Sequence, residues 1–179
     1  RTDEVSAAER SAEQATLEDG ARALGTPLEP AQSAALLRLL GREPFTDYRI
    51  AVRCPHGGPA VLENDERDLQ GRPFPTRHWL ACRALHAAVS RLEAEGGVRA
   101  LEDDAQMQQP LQQAHAEHGR RHSGYRVGGV ADPHRVKCLH AQLAFSLACG
   151  GNAIGDWIAA RCDLAWPTVC CADTPGDLG

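Results

Sequence analysis

The pattern of apolar and polar positions changes its period along the chain, and each period predicts a secondary-structure element. Apolar and polar residues alternate over 48–54, which is typical of a half-buried strand. Proline and glycine at 55–59 predict a turn, and the apolar residues 60–62 predict a returning antiparallel strand. Residues 76–81 predict either a third short strand or an early helical turn.

Apolar residues at helical spacing predict helices on both sides of this β element. The predicted helices lie at 30–41, 82–97, 109–121, 136–149 and 154–162. The third is mostly Gln, His and Arg, so we expect it to be largely solvated. The fourth is apolar nearly all round, which predicts a central buried helix.

Together these elements predict a mainly helical α+β fold, with a small antiparallel β element packed on several helices around the buried central helix. Aromatic residues make up 4% of the chain, so the core must be Leu, Val and Ala, which favours helices. We expect one globular domain over 30–165. Residues 1–29 form an acidic lead-in without an apolar stripe, predicted to be disordered, and 166–179 a mobile tail.

Charge is concentrated at the start of the chain. The formal net charge is −5, and residues 1–30 carry three arginines against seven acids, so the remainder is nearly neutral. No basic face stands out, which argues against nucleic acid as the partner. No apolar run approaches the ~20 residues of a membrane span, and seven cysteines without a disulfide rhythm predict a cytoplasmic protein.

Three cysteines and one histidine stand at predicted element boundaries. Cys54 ends a strand, Cys82 begins a helix, and Cys138 and His140 flank the start of the central helix. Thiolate and imidazole are the ligands that zinc prefers. Residues two apart in a helix point ~200° from one another, so Cys138 and His140 share a metal only from a non-helical turn. Their spacing matches no standard zinc pattern, and buried apolar cysteines are the alternative.

Four blocks of the sequence add a resemblance. They are RCPHGGPAV at 53–61, GRPFPTRHWLAC at 71–82, VSRLEAEGG at 89–97 and VKCLHA at 136–141. Over about residues 35–165 the chain resembles the bacterial domain of unknown function 501 family, which has no established activity. The resemblance implies that Cys54, Cys82, Cys138 and His140 form a recurrent set of three cysteines and one histidine. Gln142 and Phe145 stand where relatives often have further histidines, and Arg83 replaces a common proline.

Two functional hypotheses follow. The first is a zinc-type Cys3His domain that acts as a binding or adaptor module for an unknown protein; iron or an iron–sulfur cluster is left open as the metal. The second is a metal- or thiol-dependent enzyme whose small anionic substrate is held by Arg135 and Lys137. A closed four-ligand sphere favours the first, and three ligands beside a concave pocket favour the second.

A thiol nucleophile is the other form of the second hypothesis. Cys82 or Cys138 at a helix N-terminus would have its thiolate favoured by the helix dipole. Catalysis would also need a positioned base, for which His140 or His56 are the candidates. Nothing in the spacing of these residues requires His140 or His56 to act as that base.

Three further features have simpler interpretations. Gly128 and Gly129, ahead of Arg135 and Lys137, either cradle an anion or only form a turn. Histidines at 115, 118 and 122 fall on one helical face, which we interpret as solvated. The roles of four other cysteines are left open: Cys149, Cys162, Cys170 and Cys171.

Overall fold

A three-stranded antiparallel sheet and six α-helices make up the part of the chain that the computed structural model describes, residues 30–162 and 164–173. In chain order they are α1 (Pro30–Leu40), β1 (Tyr48–Arg53), β2 (Pro59–Asn64), β3 (His78–Leu80), α2 (Arg83–Ala94), α3 (Gly97–Asp103), α4 (Gln108–Arg121), α5 (Leu139–Ala148) and α6 (Ala153–Cys162). The predicted mainly helical α+β fold is confirmed. Within the described residues, no helix is long and apolar enough to cross a membrane.

The sheet has the order β1-β2-β3, with β2 in the middle. The turn between β1 and β2 is closed by two backbone hydrogen bonds: Cys54 N–H donates to Gly58 O at 2.8 Å, and Gly57 N–H donates to Cys54 O at 2.9 Å. Gly57 has φ of 82°, a conformation that favours glycine. Residues 76–81 contain the short strand β3, so the strand alternative for this stretch is correct.

Both faces of β2 are covered, because successive side chains of a strand point to opposite faces. Val61 joins the main core formed with the helices α2 and α5, whereas Leu62 packs with Leu36 of α1 and with Ala81. Val61 and Leu62 are both 0% exposed. The sheet is therefore sandwiched between α1 on one side and the helical core on the other.

Helix α5 is the centre of the fold, as its apolar composition predicts. Seven of its residues are buried: Leu139, Ala141, Gln142, Leu143, Ala144, Phe145 and Ser146. The helix begins at Leu139 rather than at 136, because Cys138 has an extended backbone with φ of −161° and ψ of 153°. The side chains just before the helix can therefore point in directions that a continued helix would not allow.

Two helical predictions need correction. Helix α4 has most of its residues exposed or half-buried, but one face buries Leu111, Ala114, His115 and His118, so the prediction of a solvated histidine face is wrong. Hydropathy counts histidine as polar, yet a neutral imidazole can pack in a core once its nitrogens are hydrogen-bonded. The glycine pair at 96–97 does end α2, but Gly97 also begins the unpredicted helix α3.

The described part of 166–179 contacts the core. Cys170 and Ala172 are 6% and 3% exposed. Arg38 Nε donates to Ala172 O at 2.9 Å, and an Arg83 N–H donates to Cys171 O at 2.6 Å. These contacts tie the segment to α1 and to the start of α2. The predicted boundary at 165 and the mobility of 166–179 stay predictions, and residues 1–29 lie outside the described residues.

Candidate metal centre

Cys138 is the N-cap residue of α5. Its extended backbone turns the thiol back over the first turn of the helix, where Sγ accepts the Ala141 N–H at 3.4 Å. His140 is the second residue of the helix. Because Cys138 lies outside the helical geometry, the usual separation of side chains two residues apart does not apply to this pair. The non-helical turn that a shared Cys138–His140 site requires is present.

Glu93, near the end of α2, reaches the same point from a second helix. Its Oε1 accepts the Leu139 N–H, one of the free donors at the start of α5. The same oxygen lies 3.2 Å from Nδ1 of His140. The carboxylate therefore both caps α5 and fixes the imidazole.

One ligand atom from each of Glu93, Cys138 and His140 lies within 4.8 Å of the other two. Tetrahedral ligands bound at ~2.0–2.3 Å lie about 3.3–3.8 Å apart, so only a modest contraction would bring these three atoms onto one ion. Carboxylate, thiolate and imidazole are all established zinc ligands. The three side chains are therefore a chemically suitable donor set.

The far side of the His140 ring is also held. Nε2 lies 3.2 Å from the His86 carbonyl oxygen and 3.1 Å from Ser90 Oγ. Because a carbonyl only accepts, its contact with Nε2 places a ring proton there. The Glu93 carboxylate is also an acceptor, so it favours a second proton on Nδ1, which a bound metal ion would replace. A backbone carbonyl on the remote N–H is the usual support of a metal-bound histidine.

Electron-rich groups surround this imidazole. Burial alone would lower the pKa of His140, but the hydrogen bond with Cys138, the charge of Glu93 and the His86 carbonyl raise it above its usual value. The His86 ring lies 4.2 Å away, centroid to centroid, and its pKa is lowered by burial and by His140. Groups that favour a proton on His140 would equally favour a metal cation at that position.

Cys138 and His140 border a cavity of about 290 Å³. The other lining residues are Arg42, Phe45, Phe74, Thr76, His78, Trp79, Leu80 and Ala141. The wall is thus largely apolar and aromatic. The Arg42 guanidinium lies 4.1 Å from the Phe45 ring centroid and 4.6 Å from that of Trp79, which brings one cation to the cavity.

Cys54 and Cys82 have different neighbours. Cys54 Sγ lies 4.0 Å from Cys170 Sγ, and Cys82 Sγ lies 3.9 Å from Cys171 Sγ. Among the described residues, neither Cys54 nor Cys82 belongs to a group of three or more ligand atoms within 4.8 Å of one another. Of the four predicted ligands, the structure brings Cys138 and His140 together.

The thiol candidates differ in their surroundings. Cys82 is 3% exposed, and burial, with Cys171 beside it, raises the pKa of Cys82 to about 11. Since the thiolate is the nucleophilic form, this environment disfavours Cys82 as a nucleophile. His56 Nε2 lies 2.9 Å from Pro167 O on the surface. Cys138 with His140 is the remaining thiol–imidazole pair.

The predicted anion-binding residues already have partners. Arg135 forms a 2.7 Å ion pair with Glu102, and that contact raises the pKa of Arg135. Lys137 Nζ lies 3.4 Å from Thr76 Oγ1. The glycine pair before them has φ of 68° and 75°, and Gly128 packs against the Lys137 stem. Anion binding here stays a prediction.

Sequence reasoning misses two sets of ligand-type residues. Glu93 is not among the predicted ligands, although its carboxylate reaches the start of α5 from the end of α2. His78, His118 and His122 form a second group whose ligand atoms lie within 4.8 Å of one another. A signal for the latter is present in the sequence: two histidines four residues apart share one face of a helix.

Comparison with protein families finds one matching model, described as Protein of unknown function (DUF501), over residues 50–126 and 111–160. The match covers most of the chain. The chain belongs to this family. The DUF501 match extends from β1 to α6 and includes every candidate ligand described above, but the description of the family assigns no activity. No curated protein and no solved structure matches the chain.

Proposed function

We propose that this chain is a metal-binding protein in which Glu93, Cys138 and His140 hold one zinc-type divalent ion. The observation that carries the proposal is the approach of their three ligand atoms to within 4.8 Å at the start of the central helix. Two separate helices supply them, so the site forms only in the folded chain. Zinc, with iron as the alternative, is the ion that this donor set suits.

The surroundings of the three ligands support the proposal. Glu93 is anchored by the Leu139 N–H, and His140 by the His86 carbonyl. Such outer contacts orient ligands before the ion arrives and are a regular feature of metal sites. The ligands also need little reordering, so binding would cost less conformational entropy than at a flexible site.

Three protein ligands, of which Cys138 and His140 border a cavity, favour a ligand-binding or catalytic centre over an adaptor module. Structural zinc sites are closed by four protein ligands, whereas catalytic sites keep one position open. An ion there would supply Lewis acidity to a bound group. The aromatic wall and Arg42 suit a small molecule with an anionic group and an apolar body. The adaptor role and the Cys3His set stay predictions.

Metal uptake by matched cysteine variants tests the proposal. Cys138→Ser removes the sulfur ligand, and Cys149→Ser changes a half-buried cysteine just beyond the other end of the same helix. The full chain is stripped of metal and titrated with Zn²⁺ by calorimetry. We expect Cys138→Ser to lose one equivalent of tight binding and Cys149→Ser to keep it. Equal uptake by the two variants would contradict the proposal.

Thiol chemistry is the second candidate, favoured by one observation. Cys138 Sγ accepts an N–H at a helix N-terminus, and His140 beside it faces Glu93, so a thiol, a base and an orienting carboxylate adjoin. Alkylation separates the two candidates. Iodoacetamide should modify Cys138 in the metal-free protein, and saturating Zn²⁺ should block it. Modification unaffected by Zn²⁺ would favour the thiol enzyme.

A further inference from the structure

Three imidazoles meet inside the protein, apart from the site proposed above. His118 and His122 are one turn apart on α4, and His78 comes from β3. Their ring centroids lie 4.6 Å, 5.0 Å and 5.7 Å from one another. The exposed fractions of His78, His118 and His122 are 5%, 1% and 5%. Burial of three histidines at one point calls for a compensating interaction.

Hydrogen bonding accounts for only part of this cluster. His118 Nδ1 lies 2.6 Å from Tyr125 O, so Nδ1 carries the proton and Nε2 keeps its lone pair. Among the described residues, His78 Nδ1 and His122 Nε2 are buried without a hydrogen-bond partner. A buried polar atom without a partner is costly, and a bound ion is one of the standard explanations. The carbonyl on His118 Nδ1 is again the support expected behind a metal ligand.

The cluster is neutral at physiological pH. The pKa of His78 is lowered to about 2, chiefly by burial and then by the neighbouring histidines and Arg77. Burial likewise lowers the pKa values of His118 and His122 to about 4. Neutral imidazole is the form that binds metals, so no proton has to be removed at neutral pH.

Arg77 is the main opposing feature. Its Nε donates to His122 Nδ1 at 3.4 Å, and its positive charge disfavours a cation nearby. The carboxylate of Glu63 lies 3.9 Å from another Arg77 nitrogen and offsets part of that charge. Metal binding at His122 Nε2 would put the ring proton on Nδ1, so the Arg77 contact would have to be given up. That contact is already at the long limit for a hydrogen bond.

We propose that His78, His118 and His122 form a second, buried metal site for a divalent ion of the zinc, nickel or copper class. These are ions that imidazole ligands suit. The proposal is independent of the Glu93 site, because the two share no residue. His78 also borders the cavity that Cys138 and His140 line.

The test uses the full chain carrying Cys138→Ser, which removes the sulfur ligand of the first site. Metal-free protein of this background is titrated with Zn²⁺ alone. We expect one equivalent to bind, and His118→Gln with His122→Gln to weaken that binding by more than the roughly 10–100-fold typical of outer-contact changes. His115→Gln is the matched control, since both of its ring nitrogens already have partners, Arg135 O and the Val127 N–H. It should bind as the background does.

The proposal would be overturned if the Cys138→Ser protein bound no Zn²⁺. It would also be overturned if replacing His118 and His122 left Zn²⁺ binding unchanged. A second measurement needs no histidine variant and so does not depend on their folding. X-ray absorption of the zinc-loaded Cys138→Ser protein should show imidazole scattering without sulfur. A sulfur shell would place the ion on other cysteines and refute the three-histidine site. The first site is tested separately by comparing the two proteins, and the wild-type chain should bind one equivalent of Zn²⁺ more than Cys138→Ser.

Discussion

Glu93 Oε1 lies 3.2 Å from His140 Nδ1 and thereby joins the end of α2 to the start of α5. The same carboxylate oxygen accepts the Leu139 N–H. A carboxylate at a helix N-terminus also interacts favourably with the helix dipole. Glu93 therefore has a structural role that is present without any metal, and this role can be measured by itself.

Replacing Glu93 should destabilise the metal-free protein. Glu93→Gln keeps the shape but loses the charge that serves both Leu139 N–H and His140, so we expect a loss of about 1–3 kcal/mol in the free energy of unfolding. Denaturant unfolding in the presence of a chelator measures it. Glu95→Gln, two residues away and exposed, is the control and should change stability by under about 0.5 kcal/mol. Equal losses of stability in Glu93→Gln and Glu95→Gln would contradict the capping role of Glu93.

Cys138 offers a similar separation of structure from metal binding. Serine is a preferred N-cap residue, so Cys138→Ser should keep the stability of the metal-free protein, whereas Cys138→Ala should cost about 1 kcal/mol. Thermal unfolding with a chelator compares the two variants. A Cys138→Ser protein as unstable as Cys138→Ala would mean that the Ala141 N–H contact contributes nothing.

Acid should destabilise the fold through His115. Its Nε2–H donates to Arg135 O at 3.0 Å and its Nδ1 accepts the Val127 N–H at 3.2 Å, so a second ring proton would face a donor. Burial lowers the pKa of His115 below its usual value. The unfolded chain therefore takes up a proton below about pH 6.5 that the folded chain refuses, and stability falls as pH falls.

The contribution of His115 should reach at most about 1.4 kcal/mol per pH unit below pH 6.5. His115→Gln offers a donor and an acceptor but cannot titrate, so the slope of unfolding free energy against pH should decrease. His134→Gln, at an exposed position, is the control and should change the slope far less. Both are measured on metal-free protein between pH 5 and 7 by urea unfolding. An unaltered slope for His115→Gln would count against its buried neutral state.

The Cys170 side chain packs against the turn between β1 and β2. A Cβ at Gly58 would meet Cys170 Sγ and, farther off, Cys54 Sγ. Gly58→Ala should therefore cost about 1–3 kcal/mol through overpacking. In a Cys170→Ala background the cost should fall by at least about 0.5 kcal/mol, since neighbouring substitutions couple. Strict additivity in this double-mutant cycle would mean that residue 170 does not pack against the turn in solution.

Much of the fold follows from periodicity alone. Alternation identifies β1, and the apolar character of 136–149 identifies α5 as the central helix. Helix α3 is missed because Gly96, with φ of 88°, gives a valid stop for α2 while Gly97 still begins another helix. Short helices after a glycine pair leave no separate signal.

The candidate site follows only in part. Cys138 and His140 can be paired because the sequence puts both at one element boundary. Glu93 is missed because the local sequence does not distinguish a carboxylate that caps a distant helix from one on a solvent-exposed face. The burial of His118 and His122 depends on β3 and on Phe145, whose ring centroid lies 5.0 Å from that of His118. Such long-range packing is set by the tertiary fold.

The most direct measurement is anomalous diffraction at the zinc edge from crystals of the full chain grown with Zn²⁺. The account predicts a peak bonded to Cys138 Sγ at ~2.3 Å and to a ring nitrogen of His140 at ~2.0–2.1 Å, with a Glu93 oxygen as third protein ligand. It would be contradicted by a zinc peak held by Cys54 and Cys82 with Cys138 unbound. Crystals with no peak beside Cys138 would contradict it equally.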